Sequence, residues 1–427
     1  MLVGSAVRRV AIIGGVRIPF ARSYTAYATA SNQDMLTATF RALVERFKLE
    51  GLRLGDVAAG AVIKHAKDYN LVRECVLSSG LDPETPGLDM QQACGTSLEA
   101  AIEVGNKIAL GQIEVGIGGG TDSISDAPIV YPRHYQQLLL ASYRGRSAWQ
   151  RMRPWFGLRP RDFKPVLPAV VEPRTGLSMG ESTELMAKHW EISRAAQDEL
   201  AYESHQKAAA AWKQGFYDDL VIEYQGLRTD NNVRPDTTPE KLAKLRPSFS
   251  ADGTLTAGNS TPLTDGASAV LLATPAWAEK HNVPVQAYLR YGKAWAVDYV
   301  SGKEGLLMAP AHAVPAMLED AGLTLQDFDY YEIHEAFAAQ VLCTLKAWES
   351  ADYCRDVLGL SAPLGSIDRR RLNVKGGSVA LGHPFAATGT RIVATLAKLL
   401  AADQRARRGL VSLCTAGGMG VTAILER

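Results

Sequence analysis

The sequence predicts an α/β protein in which strands and helices alternate around a mostly parallel sheet that is covered on both faces. Two observations support this prediction. Short apolar runs bounded by glycine, which are typical of buried strands, alternate with stretches of helical periodicity. The alternation also occurs twice, and each half places a reactive side chain at a turn of small residues that opens a helix. The pattern therefore predicts two similar α/β halves, although their literal sequence identity is low.

The first half contributes strands and helices on both sides of a long interruption. Its apolar runs predict strands at residues 10–14, 56–63, 113–120 and 266–274. Its helical periodicity predicts helices at residues 35–47, 73–79 and 98–110.

The second half repeats the theme. Its predicted strands are residues 285–293, 329–333, 409–413 and 422–425. Its predicted helices are residues 311–321, 337–349 and 392–402.

Residues 127–250 differ from both halves. Proline and arginine are dense from 128 to 173, the pattern is helical from 182 to 213, and loop signals lie at 230–232 and 235–239. This segment is predicted to be a domain inserted into the first half. Its subsegment 133–164 is strongly basic.

Composition excludes several classes of protein. A length of 427 residues predicts two or three domains, and 46 Lys+Arg against 45 Asp+Glu indicate no nucleic-acid partner. No window reaches the roughly 18 continuous apolar residues of a membrane span. Residues 1–13 are predicted to hold a first strand and not a signal peptide, so a cytoplasmic location is expected. Five cysteines without a CxxC pair fit a reducing compartment, and neither zinc-ligand spacing nor a nucleotide-binding glycine motif is present.

Cys94 is the first candidate for chemistry, because it lies in a predicted turn that opens a helix. Free backbone N–H groups and the helix dipole both favour a thiolate there. A lone intracellular cysteine is nevertheless more often a small buried hydrophobe. Two distant segments of small residues change this balance, since one carries His383 and the other Cys414. A turn histidine and a strand-ending cysteine are the structural alternatives, but the three residues together indicate acyl transfer.

The motifs resemble those of the thiolase family over nearly the whole chain. They follow the family's order and lie at residues 17–20 (RIPF), 91–97 (QQACGTS), 259–267 (NSTPLTDGA), 334–337 (HEAF), 382–384 (GHP) and 414–420 (CTAGGMG). The family includes 3-ketoacyl-CoA thiolases and acetyl-CoA acetyltransferases. The resemblance implies a duplicated, five-layered α/β/α/β/α fold with an inserted loop domain that covers CoA. The expected boundaries are 1–126 with 251–275 for the N-terminal half, 127–250 for the loop domain, and 276–427 for the C-terminal half.

The resemblance also implies roles for individual residues. Cys94 corresponds to the nucleophile, His383 to its base, and Cys414 to the acid/base of the second half-reaction. The backbone amides of Cys94 and Ala416 correspond to the oxyanion hole, and His334 to a residue that holds a water near the enolate oxygen.

Two of these positions depart from the common family pattern. Many thiolases have glycine at Ala416 and asparagine at His334, and the histidine form resembles β-subunits of fatty-acid-oxidation multienzyme complexes. Glu335 is expected to support the shell around the site, with a solvated or capping carboxylate as the alternative.

CoA is expected as co-substrate, with Met179 and Thr261 against its pantetheine arm. No covalently bound cofactor and no metal are expected. The predicted reaction is cleavage of 3-ketoacyl-CoA by CoA to acetyl-CoA and a shortened acyl-CoA. Biosynthetic acetoacetyl-CoA formation, a condensing ketoacyl synthase and a silent scaffold subunit are the rivals.

The basic segment 133–164 mixes cations with exposed-type apolar residues, and Asp162 is its sole acid. Such a surface suits an anionic membrane or a hydratase/dehydrogenase α-subunit, and the alternative is a solvated face turned toward CoA. A homodimer or tetramer is expected from the family's habit.

Overall fold

Strand pairing connects the two halves of the chain in the computed structural model, which describes residues 7–166 and 171–427. Within those ranges the strands are β1 (Val10–Arg17), β2 (Ala21–Arg22), β3 (Asp56–Ala59), β4 (Gly87–Asp89), β5 (Val115–Asp122), β6 (Thr264–Ala273), β7 (Ala287–Ala296), β8 (Tyr330–Ile333), β9 (Arg408–Thr415) and β10 (Met419–Glu426). The helices are α1 (Asn32–Phe47), α2 (Leu71–Ser79), α3 (Thr96–Ala109), α4 (Arg133–Arg144), α5 (Ala148–Met152), α6 (Met179–His189), α7 (Arg194–Lys213), α8 (Pro239–Ala243), α9 (Pro275–Lys280), α10 (Ala309–Ala321), α11 (Ala338–Glu349), α12 (Ala351–Asp356), α13 (Ser378–Leu381) and α14 (Thr388–Ala402). Residues 1–6, the start of the predicted N-terminal half, and 167–170, within the predicted loop domain, lie outside the described residues.

The order of the strands is itself duplicated. The path runs β4-β3-β5-β6-β1-β7-β10-β9-β8, and the antiparallel pair β1–β7 joins the halves. Outward from that pair, the order is β1, β6, β5 in the first half and β7, β10, β9 in the second half. In each half these are the first strand, the last strand and the strand before the last. The prediction of two similar halves is therefore confirmed at the level of topology.

The prediction of a mostly parallel sheet is wrong. Strand β3 is parallel to β4 and β5, and β8 is parallel to β9, but every pairing of β1, β6, β7 and β10 is antiparallel. The reason is connectivity. Only residues 416–418 separate β9 from β10, whereas a parallel connection requires a crossover of a dozen residues or more.

Alternation along the strands places side chains in the three largest apolar cores of the described residues and thereby creates five layers. Successive side chains of a strand point to opposite faces of the sheet. Ile12 packs in a central core with α3 and α14, whereas the next residue, Ile13, packs against α1 and α2. In the second half, Val421 joins the central core, whereas Ile424 packs with α10 and α11. The layers are therefore outer helices, sheet, central helices, sheet and outer helices.

Within residues 7–166 and 171–427, one segment, Phe385–Ala402, is long and apolar enough to cross a membrane by length and composition. It contains α14, and 78% of it is buried inside the structure. A helix between two sheets meets apolar side chains on both sides, so this composition is what the central layer requires.

The inserted segment contains parts of two kinds. Helices α4 and α5 have no buried residue, whereas Tyr217 and Leu220 lie in the central core. Asp230 lies beneath the first half and forms a buried ion pair with Arg17, at 2.6 Å. The same carboxylate accepts the Phe20 N–H at 2.7 Å, and the Arg17 guanidinium carbon lies 4.7 Å from the centre of the Phe20 ring.

The helical pattern at 182–213 forms two helices and not one. Helix α6 ends at His189, and Glu191 takes a positive φ of 51°. Ser193 then caps α7 by accepting the Ala196 N–H. The left-handed residue turns the chain between the two helices, and both lie largely within the predicted helical stretch.

Candidate active site

Cys94 lies in the turn between β4 and α3. The turn is held from within, because Thr96 Oγ1 accepts the Gln92 N–H at 2.9 Å and donates to the Ala93 carbonyl at 2.7 Å. Ala93 has a φ of 46°, which is unusual for a residue with a Cβ. A Cβ on Gly95 would lie 2.7 Å from Val421 Cγ2, so only glycine lets the turn approach β10 this closely.

Burial and a backbone donor act on the Cys94 thiol in opposite directions. Burial raises its pKa to about 12, although the Ala416 N–H donates to the sulfur and lowers it. The expected preference for thiolate is therefore reversed by desolvation. The thiol is therefore neutral at rest, and the predicted role of nucleophile requires a base that removes its proton.

His383 supplies an imidazole beside this thiol. It follows α13, its N–H donates to Thr264 Oγ1 at 3.1 Å, and its Nδ1 lies 2.6 Å from Thr388 Oγ1. Burial, followed by the charge of Arg391, lowers the pKa of His383 to about 3. The ring is therefore neutral at physiological pH, and Nε2 has no partner among the described residues.

His334, at the end of β8, completes the cluster. Its ring centroid lies 4.1 Å from that of His383, and its Nδ1 lies 2.8 Å from Ser378 Oγ. One ligand atom each from Cys94, His334 and His383 lie within 4.8 Å of one another, so the trio is able to hold a metal ion. The sequence shows no metal-ligand spacing for this trio, because the three residues come from distant segments.

The hairpin between β9 and β10 carries Cys414 and Ala416. Burial, followed by the neighbouring Cys94, raises the pKa of Cys414 well above its ordinary value. Glycines 417 and 418 have φ of 78° and 70°, which shape the turn so that the Ala416 amide meets the Cys94 sulfur. The structure thus brings together the predicted nucleophile, second cysteine and oxyanion amide.

Glu172 is a contributor that the sequence did not reveal. Its carboxylate accepts the Gly417 N–H at 2.9 Å and the Tyr299 hydroxyl at 3.1 Å. It therefore holds the same turn from the inserted segment. A single glutamate before a proline has no motif that indicates this contact.

Glu335 is buried, so the alternative of a solvated carboxylate is wrong. It accepts hydrogen bonds from Ser204 Oγ at 2.7 Å, Asn373 Nδ2 at 2.6 Å and the Val379 N–H at 3.2 Å. The last bond caps the first turn of α13. Glu335 thus supports the segment that leads to His383.

The residues predicted to meet CoA lie on the Cys414 side of the cluster. Met179 begins α6 and packs against the apolar group that contains Cys414 and Phe337. Thr261 donates from both its N–H and its hydroxyl to the Ala336 carbonyl, at 3.1 Å each. The neighbouring Ser260 hydroxyl is buried without a hydrogen-bond partner among the described residues.

Models of two thiolase domains match almost the entire chain. The thiolase N-terminal domain matches residues 10–276, and the thiolase C-terminal domain matches residues 287–427. The chain belongs to the thiolase family. As a thiolase it is a CoA-dependent acyltransferase.

Individual relatives agree with this membership. The chain is 40% identical to "3-ketoacyl-CoA thiolase" proteins of Erwinia tasmaniensis and Pectobacterium atrosepticum, over 98% of this thiolase and 96% of each relative. Two crystal structures resemble it at a TM-score of 0.82 and 28% identity, and cover 99% of this thiolase. They are Bacillus anthracis acetyl-CoA acetyltransferase, matched over 100% of its length, and human mitochondrial 3-ketoacyl-CoA thiolase in complex with CoA, matched over 98%.

Proposed function

We propose that this thiolase cleaves 3-ketoacyl-CoA with CoA and releases acetyl-CoA and a shortened acyl-CoA. One observation carries the proposal. The Cys94 sulfur accepts a hydrogen bond from the Ala416 N–H. The same sulfur lies within 4.8 Å of a ring nitrogen of both His334 and His383. A nucleophile, a base and an oxyanion donor thus meet at one point, which is what acyl transfer requires.

In the first half-reaction, His383 takes the thiol proton and the Cys94 thiolate attacks the ketone carbon of the substrate. The amides of Cys94 and Ala416 hold the oxyanion. The bond between the second and third carbons then breaks, which leaves an acyl group on Cys94 and an acetyl-CoA enolate. Cys414 gives its proton to the enolate carbon, while His383 and a water on His334 meet the enolate oxygen.

In the second half-reaction, the Cys414 thiolate takes the proton of the incoming CoA thiol. The CoA thiolate attacks the acyl-Cys94 thioester, and Cys94 leaves and is protonated by His383. Burial keeps Cys414 protonated at rest, which suits a residue that must first act as an acid.

CoA would lie under residues 127–250, with Met179 and Thr261 against pantetheine. The division into 1–126 with 251–275, 127–250 and 276–427 follows from this arrangement. It is supported by β6, which returns the chain to the first half after the insertion. We place the enzyme in the cytoplasm, in fatty-acid β-oxidation, as a homodimer or tetramer.

The segment around α4 and α5 is a docking surface for an anionic membrane or a hydratase/dehydrogenase subunit. Its helices pack mainly on each other, and Tyr143, Trp149 and Phe156 are 86%, 59% and 72% exposed. Exposed aromatic rings among arginines are typical of a surface that meets a partner or a lipid headgroup layer.

Thiolysis of 3-ketoacyl-CoAs from about four to about sixteen carbons tests the reaction, with Cys94→Ala as the blank. We expect turnover of long chains and none by the variant. Turnover of acetoacetyl-CoA alone would instead indicate a biosynthetic thiolase. Full activity of the variant would overturn the assignment of Cys94, and a wild-type protein silent at every length would favour a scaffold subunit.

Excision tests the docking surface. Val130 and Val166 pair across its base, with N···O at 2.7 Å, so residues 131–165 can be replaced by a short glycine-serine linker. We expect the shortened enzyme to keep thiolysis and to lose binding to anionic vesicles or to the purified subunit. A raised KM for CoA, with binding unchanged, would instead support a solvated face turned toward CoA.

A further inference from the structure

A buried arginine lies behind the His334 ring. Arg391, in α14, donates from Nη2 to Ser378 Oγ at 2.6 Å, and Ser378 Oγ lies 2.8 Å from His334 Nδ1. The three residues are at most 2% exposed. A continuous line of hydrogen bonds therefore joins the central helix α14 to the reaction centre.

The number of protons on these three groups determines which group donates in each hydrogen bond. A guanidinium has donors and no acceptor, so Ser378 Oγ accepts from Arg391. The serine has one proton of its own, and among residues 7–166 and 171–427 its other hydrogen-bond partner is His334 Nδ1. If Nδ1 instead carried the ring proton, the serine hydroxyl would be a buried donor without an acceptor, which proteins avoid.

We infer that Arg391, acting through Ser378, fixes His334 in the tautomer that carries its proton on Nε2. Arg391 and Ser378 are thus positioning residues, and His334 is a proton donor that points into the site. The charge of Arg391 favours the same arrangement, because the lone pair on Nδ1 faces the cation.

The position of His334 Nε2 indicates where this proton donor acts. Nε2 is buried without a partner among the described residues, and the ring lies beside His383 and Cys94. A donor there meets the substrate oxygen or a water that contacts it. The inference rests on the proposed function at this point, because that reaction places negative charge on the enolate oxygen.

The two histidines then have opposite roles. His383 needs a bare Nε2 to take the thiol proton, so its Nδ1 proton lies toward Thr388. His334 presents its proton at the equivalent atom and is not a base. Metal binding by the trio would require that proton to move, so the same hydrogen bonds disfavour it.

Nitrogen NMR of enzyme labelled with ¹⁵N-histidine tests the tautomer directly, with His334→Asn used to assign the signal. We expect His334 to show a protonated Nε2 and a bare Nδ1. A protonated Nδ1 would overturn the inference. This readout does not depend on turnover, so it separates a failure of the inference from a failure of the proposed function.

A double-mutant cycle tests the consequence for catalysis. Ser378→Ala should lower kcat for thiolysis at least about tenfold with little change in KM for CoA, and Ser378→Thr should restore most of it. In the His334→Asn background, Ser378→Ala should lower kcat little further. The asparagine side chain donates an N–H without needing a neighbour to fix its tautomer. Equal losses in both backgrounds would mean that Ser378 acts through the fold and would overturn the inference. Ser378→Cys, which keeps the volume and loses the strong donor, gives the same comparison if the alanine variant is unstable.

Discussion

The Cys94 thiol, the His383 imidazole and the Cys414 thiol are each neutral at rest because burial opposes their charged forms. In the proposed mechanism, catalysis therefore depends on proton transfer between neighbouring groups and not on a preformed thiolate. The rate therefore depends strongly on geometry. A donor amide or imidazole ring that moves by about 1 Å no longer stabilises the charge that develops in the transition state.

Glu172 is the residue at which this demand can be tested. Glu172→Ala should lower kcat about tenfold to a hundredfold, because the Gly417 N–H loses its acceptor and the Ala416 amide is no longer held against the sulfur. KM for CoA should change little. Steady-state thiolysis measures both constants.

Glu172→Gln is the matched control, because its amide oxygen still accepts the Gly417 N–H and should preserve most of the rate. An alanine variant with wild-type kcat would show that the turn holds its shape without the carboxylate.

Residue-level prediction from sequence succeeded where a motif marks a turn and failed where a contact crosses the fold. Small residues around Cys94 and His383 indicate tight turns, and the structure has turns there. Nothing local marks Glu172, which is 245 positions from its partner Gly417. The direction of the Cys94 pKa shift was also missed, because desolvation depends on what the rest of the chain packs around the sulfur.

At the scale of elements, periodicity located the long helices of both halves and every described strand except the short β2 and β4. Connectivity decided how the strands pair. The tight turn after β9 makes β10 antiparallel, and a left-handed Glu191 divides a continuous helical pattern into α6 and α7. Both features depend on a few residues between elements, where hydrophobic periodicity carries no information.

Helix α7 contains a buried histidine that should make stability depend on pH. His205 Nδ1 accepts the Arg234 N–H at 3.1 Å, and burial lowers the pKa of His205 to about 4. The unfolded chain binds a proton near pH 6.5, whereas the folded helix does not until about pH 4. Stability from this group is therefore full above pH 6.5 and falls by about 1.4 kcal/mol per pH unit below it.

Comparison with His205→Gln isolates this effect. Between pH 7 and pH 5, the free energy of unfolding of the wild type should fall by about 2 kcal/mol relative to the variant. Urea unfolding at each pH measures the difference. A constant gap would show that His205 titrates alike in both states.

At the scale of the whole molecule, α3 and α14 form the layer that both sheets share. Helix α14 contacts β1 and β6 of the first half as well as β9 of the second. The Cys94 turn opens α3, and Thr388, which contacts His383, opens α14. The packing of these helices therefore sets the distance between the proposed nucleophile, Cys94, and its proposed base, His383.

Gly389 lets the central helices approach each other. A Cβ there would lie 2.3 Å from the Leu98 backbone nitrogen. Alanine gains about 1 kcal/mol of helix propensity, but we expect Gly389→Ala to lower the free energy of unfolding by about 1–3 kcal/mol and to reduce kcat, because backbone must move. Denaturant unfolding and thiolysis measure the two effects.

Gly157→Ala is the control, because the nearest atom to its Cβ would be Leu138 Cδ2 at 3.7 Å. It should stay within about 0.5 kcal/mol of the wild type. Equal stability of both variants would mean that the layer adjusts without cost.

The position of β10 has a consequence for biosynthesis. This strand lies between β7 and β9, although it follows both in the chain. While the ribosome is still translating, β7 and β9 present open edges, and the hairpin that carries Cys414 and Ala416 has no second arm. The nascent chain therefore cannot assemble the candidate site around Cys94 before β10 emerges, and exposed strand edges of this kind are prone to aggregation.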